Sequence, residues 1–123
     1  MKHEMKLDYE PFSKIQNKSK KIEMRLYDEK RQLIKPNDLI EFTNRETNEK
    51  LLTKVVALHR FSSFKNLYNF FDKTMLGYSK DEIADYKDME KYYSPHKQRE
   101  YGVVGIELKL VKEKKVGIGL FNN

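Results

Sequence analysis

Cysteine is absent from this chain of 123 residues, which excludes a disulfide framework, a thiolate metal site and thiol catalysis. No apolar run approaches the roughly 20 residues that a membrane-spanning helix requires. The N-terminal stretch MKHEMKLDYE also lacks the apolar segment of a signal peptide. The three histidines, His3, His59 and His96, are far apart in the sequence, so no metal cluster is expected. These absences predict a cytoplasmic protein with no metal, no cofactor and no membrane partner.

The net formal charge of +6 is distributed unevenly along the chain. Between residues 14 and 35 eight basic side chains outnumber three acidic ones, whereas between residues 72 and 90 six acidic side chains outnumber three basic ones. A basic segment attracts polyanions such as nucleic acid, and the acidic segment should repel them. Ordinary mixed surface charge is the alternative interpretation.

Hydrophobic periodicity predicts the order β-α-β-β-β-α-α-β. The predicted strands are residues 3–9, 20–27, 38–44, 51–61 and 101–111; the predicted helices are residues 11–17, a segment beginning near Phe64, and residues 80–92; residues 94–100 are interpreted as a loop. Strands outnumber helices and most connections have hairpin length, which indicates an α+β domain with a curved, mainly antiparallel sheet or small barrel. We expect one domain over residues 1–123, with its core at roughly 3–111 and a basic, frayed tail at 112–123.

The most informative stretch is Lys20-Lys21-Ile22-Glu23-Met24-Arg25-Leu26. Alternation places Ile22, Met24 and Leu26 on one face of a strand, and Lys21, Glu23, Arg25 and Tyr27 on the other. A carboxylate between cations stays ionised, and in a cleft it would form a polar platform for a phosphate, a ribose or a base edge. A solvated strand face is the alternative.

The same stretch, followed by IKPNDLIEF, resembles the signature of the ASCH domain family, and FSSFKNLY (61–68) and YYSPHKQREYGVVGIEL (92–108) match later motifs. The resemblance covers roughly residues 8–111. It departs from the family pattern at Asn37, where Gly is usual, but Asn also tolerates a positive φ. The resemblance implies a PUA-like β-barrel with flanking helices and a cleft lined by the motif strand. It also implies RNA binding, and in some small members amidohydrolase activity on an acetylated cytidine nucleoside or ribonuclease activity.

For the amidohydrolase members, the resemblance places the catalytic Lys on Lys20 and the nucleophilic Thr on Glu23. Because acyl transfer through a hydroxyl needs a hydroxyl, Glu23 departs from that chemistry. Lys20 and Glu23 could still activate water as acid and base groups. Strand parity does not bring Lys20 to Glu23, so the motif predicts a bend at the start of the strand.

Three functions follow from these observations: an RNA- or nucleotide-binding module, a small hydrolase of a modified nucleoside or phosphodiester, and a protein-interaction domain using the acidic 72–90 segment. The predicted ligand-binding residues are Lys20, Lys21, Glu23, Arg25, Arg60, Ser62 and Tyr93, with Ser62 and Tyr93 on the wall opposite the motif. The hydrolase alternative assigns catalysis to Lys20 and Glu23. We expect the barrel interior to contain Ile22, Met24, Ile40, Val104 and Ile106, and the cleft ion pair to contribute little to folding. The oligomeric state is not predicted.

Overall fold

The computed structural model describes residues 1–111, so the tail predicted at 112–123 lies outside the described residues. The strands are β1 (Lys2–Leu7), β2 (Ile22–Leu26), β3 (Leu39–Asn44), β4 (Lys50–Phe61) and β5 (Val103–Leu110); the helices are α1 (Tyr9–Gln16), α2 (Phe64–Phe70) and α3 (Pro95–Tyr101), with short 3₁₀ helices at Arg31–Leu33 and Tyr86–Lys91. All five predicted strands and the first two predicted helices are present. In the described part of the chain, no helix has the length and apolar character needed to cross a membrane.

The strands form one curled sheet in the order β1-β3-β4-β5-β2. β1 pairs with β3 in parallel, and the other three pairings are antiparallel. The sheet is therefore mixed but mainly antiparallel, as predicted, and it closes only into a half-barrel whose edge strands are β1 and β2. The Arg25 guanidinium donates to the Lys6 carbonyl at 2.8 Å, which links these two edges.

The concave side of the sheet contains the main hydrophobic core, and α1 packs against it through Phe12 and Ile15. The strand residues of this core are Met5, Leu7, Ile40, Phe42, Val55, Val104, Ile106 and Leu108. In the pairing of β2 with β5, Glu23 lies opposite Ile106 and Arg25 lies opposite Val104. Cross-strand neighbours share a face, so Glu23 and Arg25 point toward the interior of the half-barrel.

The apolar side chains of β2 face the other way. Ile22 and Met24 belong to a second core cluster with Phe64 and Leu67 of α2, on the convex side of the sheet. The prediction that Ile22 and Met24 share the barrel interior with Ile40, Val104 and Ile106 is therefore wrong. Every residue of β2 is buried, because α2 covers one face and the curled sheet encloses the other.

Gly105 lies where β2 and the end of α2 crowd the surface of β5. A Cβ atom at this position would lie 3.0 Å from Ile22 Cγ2 and 3.2 Å from Phe71 Cε2, both tighter than ordinary contacts. A glycine inside a strand is typical of such close packing, and Gly105 leaves room for these side chains.

Two predictions between residues 80 and 100 are wrong. Residues 80–92 do not form an α-helix: the segment bends and then forms the 3₁₀ helix Tyr86–Lys91. The Lys73 ammonium binds the carbonyls of Lys80 and Glu82, which a regular helix would need for its own amides.

Residues 94–100, predicted as a loop, lie almost wholly in α3. Ser94 caps this helix by accepting from the Lys97 amide at 3.2 Å, and Pro95 occupies the first turn. Ser-Pro at the start and Gly102 at the end are recognised helix boundaries, so the signal was present in the sequence.

Candidate functional site

A bend before β2 brings Lys20 to the interior. Lys18 adopts a positive φ of 70°, and the Lys20 amide donates to the Lys14 carbonyl at 3.0 Å. The amides of Lys21 and Ile22 both donate to the Met75 carbonyl, which fixes the start of the strand. As a result Lys20 is only 8% exposed whereas Lys21 points to solvent. This is the bend that the motif predicted.

Glu23 is held between two cations. Its Oε1 lies 3.3 Å from Lys20 Nζ, and its Oε2 accepts a 2.6 Å hydrogen bond from Arg25 Nε. All three side chains are buried, with Glu23 4% and Arg25 8% exposed. We expected the ion pair of Glu23 and Arg25 to contribute little to folding because such pairs are usually exposed to solvent. Here the pair is buried, so that reasoning does not apply.

The cluster keeps its charges despite burial. Burial alone would raise the pKa of Glu23, but the charges of Lys20 and Arg25 and their hydrogen bonds outweigh it, so the pKa lies below its usual value. Burial likewise opposes the charged form of Arg25, yet the Glu23 carboxylate holds the pKa of Arg25 above its usual value. The cluster therefore carries two positive charges and one negative charge.

The three side chains lie in a cleft of about 540 Å³, bounded by the β1–α1 junction, the turn around Gly77 and the segment from Asp88 to Tyr93. This volume is within the range of small-molecule sites. Its lining includes six basic and five acidic residues, so the cleft is polar and mixed in charge rather than basic throughout. Four tyrosines also line it: Tyr68, Tyr78, Tyr92 and Tyr93.

Tyr93 lies on the cleft wall, where the sequence placed it. Its ring stacks on Phe64 with a centroid distance of 5.6 Å and an interplanar angle of 23°. Burial raises the pKa of the Tyr93 hydroxyl, and the Arg25 charge opposes this rise only in part. Tyr93 therefore remains a neutral phenol beside the ion cluster.

Arg60 and Ser62 do not join this cleft. They line a separate, shallower pocket of about 530 Å³ with Tyr27 and Tyr101. The Arg60 guanidinium lies 4.3 Å from the centre of the Tyr27 ring, and the Ser62 hydroxyl accepts from the Asn66 side chain at 2.8 Å. The prediction that Ser62 faces the motif across the cleft is wrong, because Ser62 directly follows β4 and lines this second pocket instead.

Three residues that the fold brings into the cleft were not predicted as site residues, namely Tyr68, Tyr78 and Asp88. Their hydroxyl and carboxylate groups form a hydrogen-bonded chain. No sequence spacing joins them, because Tyr68 is on α2 and Asp88 is on a 3₁₀ helix. Among residues 1–111, no three His, Cys, Asp or Glu side chains are grouped so that they could hold a metal ion.

The chain matches the family model of the ASCH domain over residues 5–112, and it therefore belongs to the ASCH domain family. It is similar to the crystal structure of the hypothetical protein PH0355, with 34% identity, a TM-score of 0.77, and coverage of 90% of this chain and 100% of that one. It is also similar to the solution structure of protein PF0455 from Pyrococcus furiosus, with 33% identity, a TM-score of 0.67, and coverage of 92% and 100%.

A more distant likeness supports the fold alone. The crystal structure of ASCH from Zymomonas mobilis matches with a TM-score of 0.65 at 13% identity, covering 88% of this chain and 66% of that one. A search of curated proteins finds no match to this chain. The family and the half-barrel together define a PUA-like ASCH domain, a class associated with nucleic-acid interaction.

Proposed function

We propose that this protein binds RNA or a nucleotide in the cleft that contains Lys20, Glu23 and Arg25. The observation that carries the proposal is the buried carboxylate held between two cations on the floor of an open cleft. Burying three charges is costly, and a core needs no such cluster. A site that must distinguish polar ligands does need it, because fixed donors and acceptors reject ligands that leave them unpaired.

The cluster offers what a phosphate or a base edge requires. Lys20 has three N–H donors and Arg25 has five, and their contacts with Glu23 and Lys6 occupy only part of them. Tyr93 provides an aromatic surface beside the cluster, and aromatic rings stack on unpaired bases. The binding set in this proposal is therefore Lys20, Glu23, Arg25 and Tyr93. Arg60, Ser62 and Lys21 lie outside the cleft, where only a longer RNA could reach them.

A hydrolase in which Lys20 and Glu23 act as acid and base is the second candidate, favoured by their 3.3 Å contact inside the cleft. The lowered pKa of Glu23 weakens it as a proton acceptor, which favours binding over catalysis. Incubation with N4-acetylcytidine and with short RNA separates the candidates. Deacetylation or cleavage that is lost in Glu23→Gln would make the protein an enzyme.

Titration with a short single-stranded RNA tests the binding proposal. We expect affinity to fall by tenfold or more between about 50 mM and about 200 mM salt, because phosphate contacts release counterions. Absence of binding at the lower salt concentration would refute the proposal.

Lys20 and Lys21 provide a matched pair, since they are adjacent and equally charged but only Lys20 lines the cleft. Lys20→Gln should weaken binding by about tenfold, whereas Lys21→Gln should change it by about threefold or less. Equal losses in the two variants would mean that the RNA lies on the outer surface instead of in the cleft.

A further inference from the structure

A chain of hydroxyl groups on the cleft wall has a direction that can be worked out from its partners. Tyr78 Oη lies 2.7 Å from Asp88 Oδ2 and 2.8 Å from Tyr68 Oη. A carboxylate only accepts hydrogen bonds, so Tyr78 donates its one proton to Asp88. Tyr68 must then donate its own proton to Tyr78.

This arrangement leaves neither tyrosine with a proton to offer a ligand. Tyr78 accepts from Tyr68, so one lone pair of Tyr78 and the lone pairs of Tyr68 remain as acceptors for a ligand. Burial is the largest cause that raises the pKa of both hydroxyls, so they stay protonated at ordinary pH and the chain keeps its direction.

Lys20 and Arg25, which line the same cleft, are donors. Gly77 adopts a φ of 106°, and a Cβ there would lie 3.2 Å from Lys20 Cδ, so the backbone next to Tyr78 lies directly against the Lys20 side chain. Tyr78 and Lys20 line the same cleft, so a ligand that fills it can contact both.

We infer that Tyr78 Oη, oriented by Asp88 and Tyr68, accepts a hydrogen bond from an N–H group of the ligand. The cleft then binds bases that carry an exocyclic amino group more tightly than bases that carry a carbonyl in its place. The inference rests on the proposed nucleotide binding and specifies its selectivity. A carbonyl at this position would face lone pairs and leave both groups unpaired, which costs affinity.

Two pairs of nucleotides differ in this group and in the adjacent ring nitrogen, which is an acceptor in the amino member and an N–H donor in the keto member: AMP with IMP, and CMP with UMP. Isothermal titration at low salt should show that at least one amino nucleotide binds about fivefold or more tightly than its keto partner. Tyr78→Phe removes the acceptor oxygen and keeps the ring, so the ratio should fall to about one while binding persists.

Asp88→Asn provides an independent variant, because an amide can donate to Tyr78 and free the tyrosine proton for the ligand. The preference should then shrink or reverse toward the keto nucleotide. Tyr101→Phe, which removes a hydroxyl from the pocket around Arg60, is the matched control and should leave the ratio unchanged.

The outcomes separate the two proposals. If the wild type binds none of the four nucleotides and no RNA, the proposed function fails and the selectivity fails with it. If the wild type binds amino and keto nucleotides equally, or if Tyr78→Phe keeps the wild-type ratio in a folded protein, nucleotide binding stands and the role of Tyr78 is refuted.

Discussion

Arg25 and Arg60 occupy equivalent positions in the sheet and have different surroundings. Both lie opposite Val104 of β5, Arg25 on one neighbouring strand and Arg60 on the other. Arg25 is buried and binds the Glu23 carboxylate and the Lys6 carbonyl, whereas Arg60 is exposed and lies over the Tyr27 ring. The difference arises because β1 approaches β2 at Arg25 and encloses it. Two arginines opposite the same residue therefore differ in burial and in binding partners, because the curled sheet encloses only one of them.

The largest effect expected from this comparison is on stability. Arg25→Ala leaves the Glu23 charge buried with one cation instead of two and removes the link between β1 and β2. The free energy of unfolding should fall by about 3–5 kcal/mol. Arg60→Ala removes an exposed cation–π contact and should lower it by about 1 kcal/mol or less. Urea unfolding of both variants measures the difference, and similar losses would show that the surroundings of the two arginines do not matter.

The second prediction concerns pH, with Glu23→Gln compared to the wild type. The folded-state pKa of Glu23 is lowered from 4.5, so its contribution to stability is complete above that value and is lost as the pH falls through the folded-state pKa. The wild type should therefore be more stable than Glu23→Gln at neutral pH, and the gap should narrow below about pH 4.5. Other carboxylates titrate in both proteins and cancel in the difference. A gap that stays constant down to about pH 3 would contradict the assignment.

The smallest expected effect is that of Arg60 on binding. Because Arg60 lies outside the cleft, Arg60→Ala should change the affinity for a mononucleotide by about twofold or less. For a longer RNA the same variant should reduce the slope of log affinity against log salt concentration by about the contribution of one phosphate contact at most. Anisotropy titrations with both ligands make the measurement. A tenfold loss of mononucleotide affinity would place Arg60 in the binding site and remove the contrast with Arg25.

Local signals in the sequence predicted most of the fold. Alternating apolar residues predicted every strand, Ser63 caps α2 by accepting from the Asn66 amide, and Asn37 adopts the positive φ that its turn requires. The prediction fails at residues 80–92, where the carbonyls of Lys80 and Glu82 accept from the Lys73 ammonium. Lys73 lies outside the segment whose periodicity predicted the helix.

The candidate site was predictable in its motif and not in its walls. Lys20, Glu23 and Arg25 are within six residues of one another, so a single strand and one bend bring them together. Tyr78 and Asp88 reach the same cleft from separate segments, and Ser62 was assigned to it wrongly. The positions of distant segments in the sequence do not indicate which of them are in contact in the fold.

The sequence by itself determined that Glu23 and Arg25 oppose Ile22 and Met24, because side chains alternate along a strand. Only the tertiary structure decided which of those faces is enclosed by the sheet. The period of two is the same whichever way a sheet curls, and the direction here is decided by α2 packing over Ile22, Met24 and Gly105 on the convex side. With that side filled by apolar groups, the charged face of β2 turns inward, where β1 and the turn at Gly77 complete the cleft.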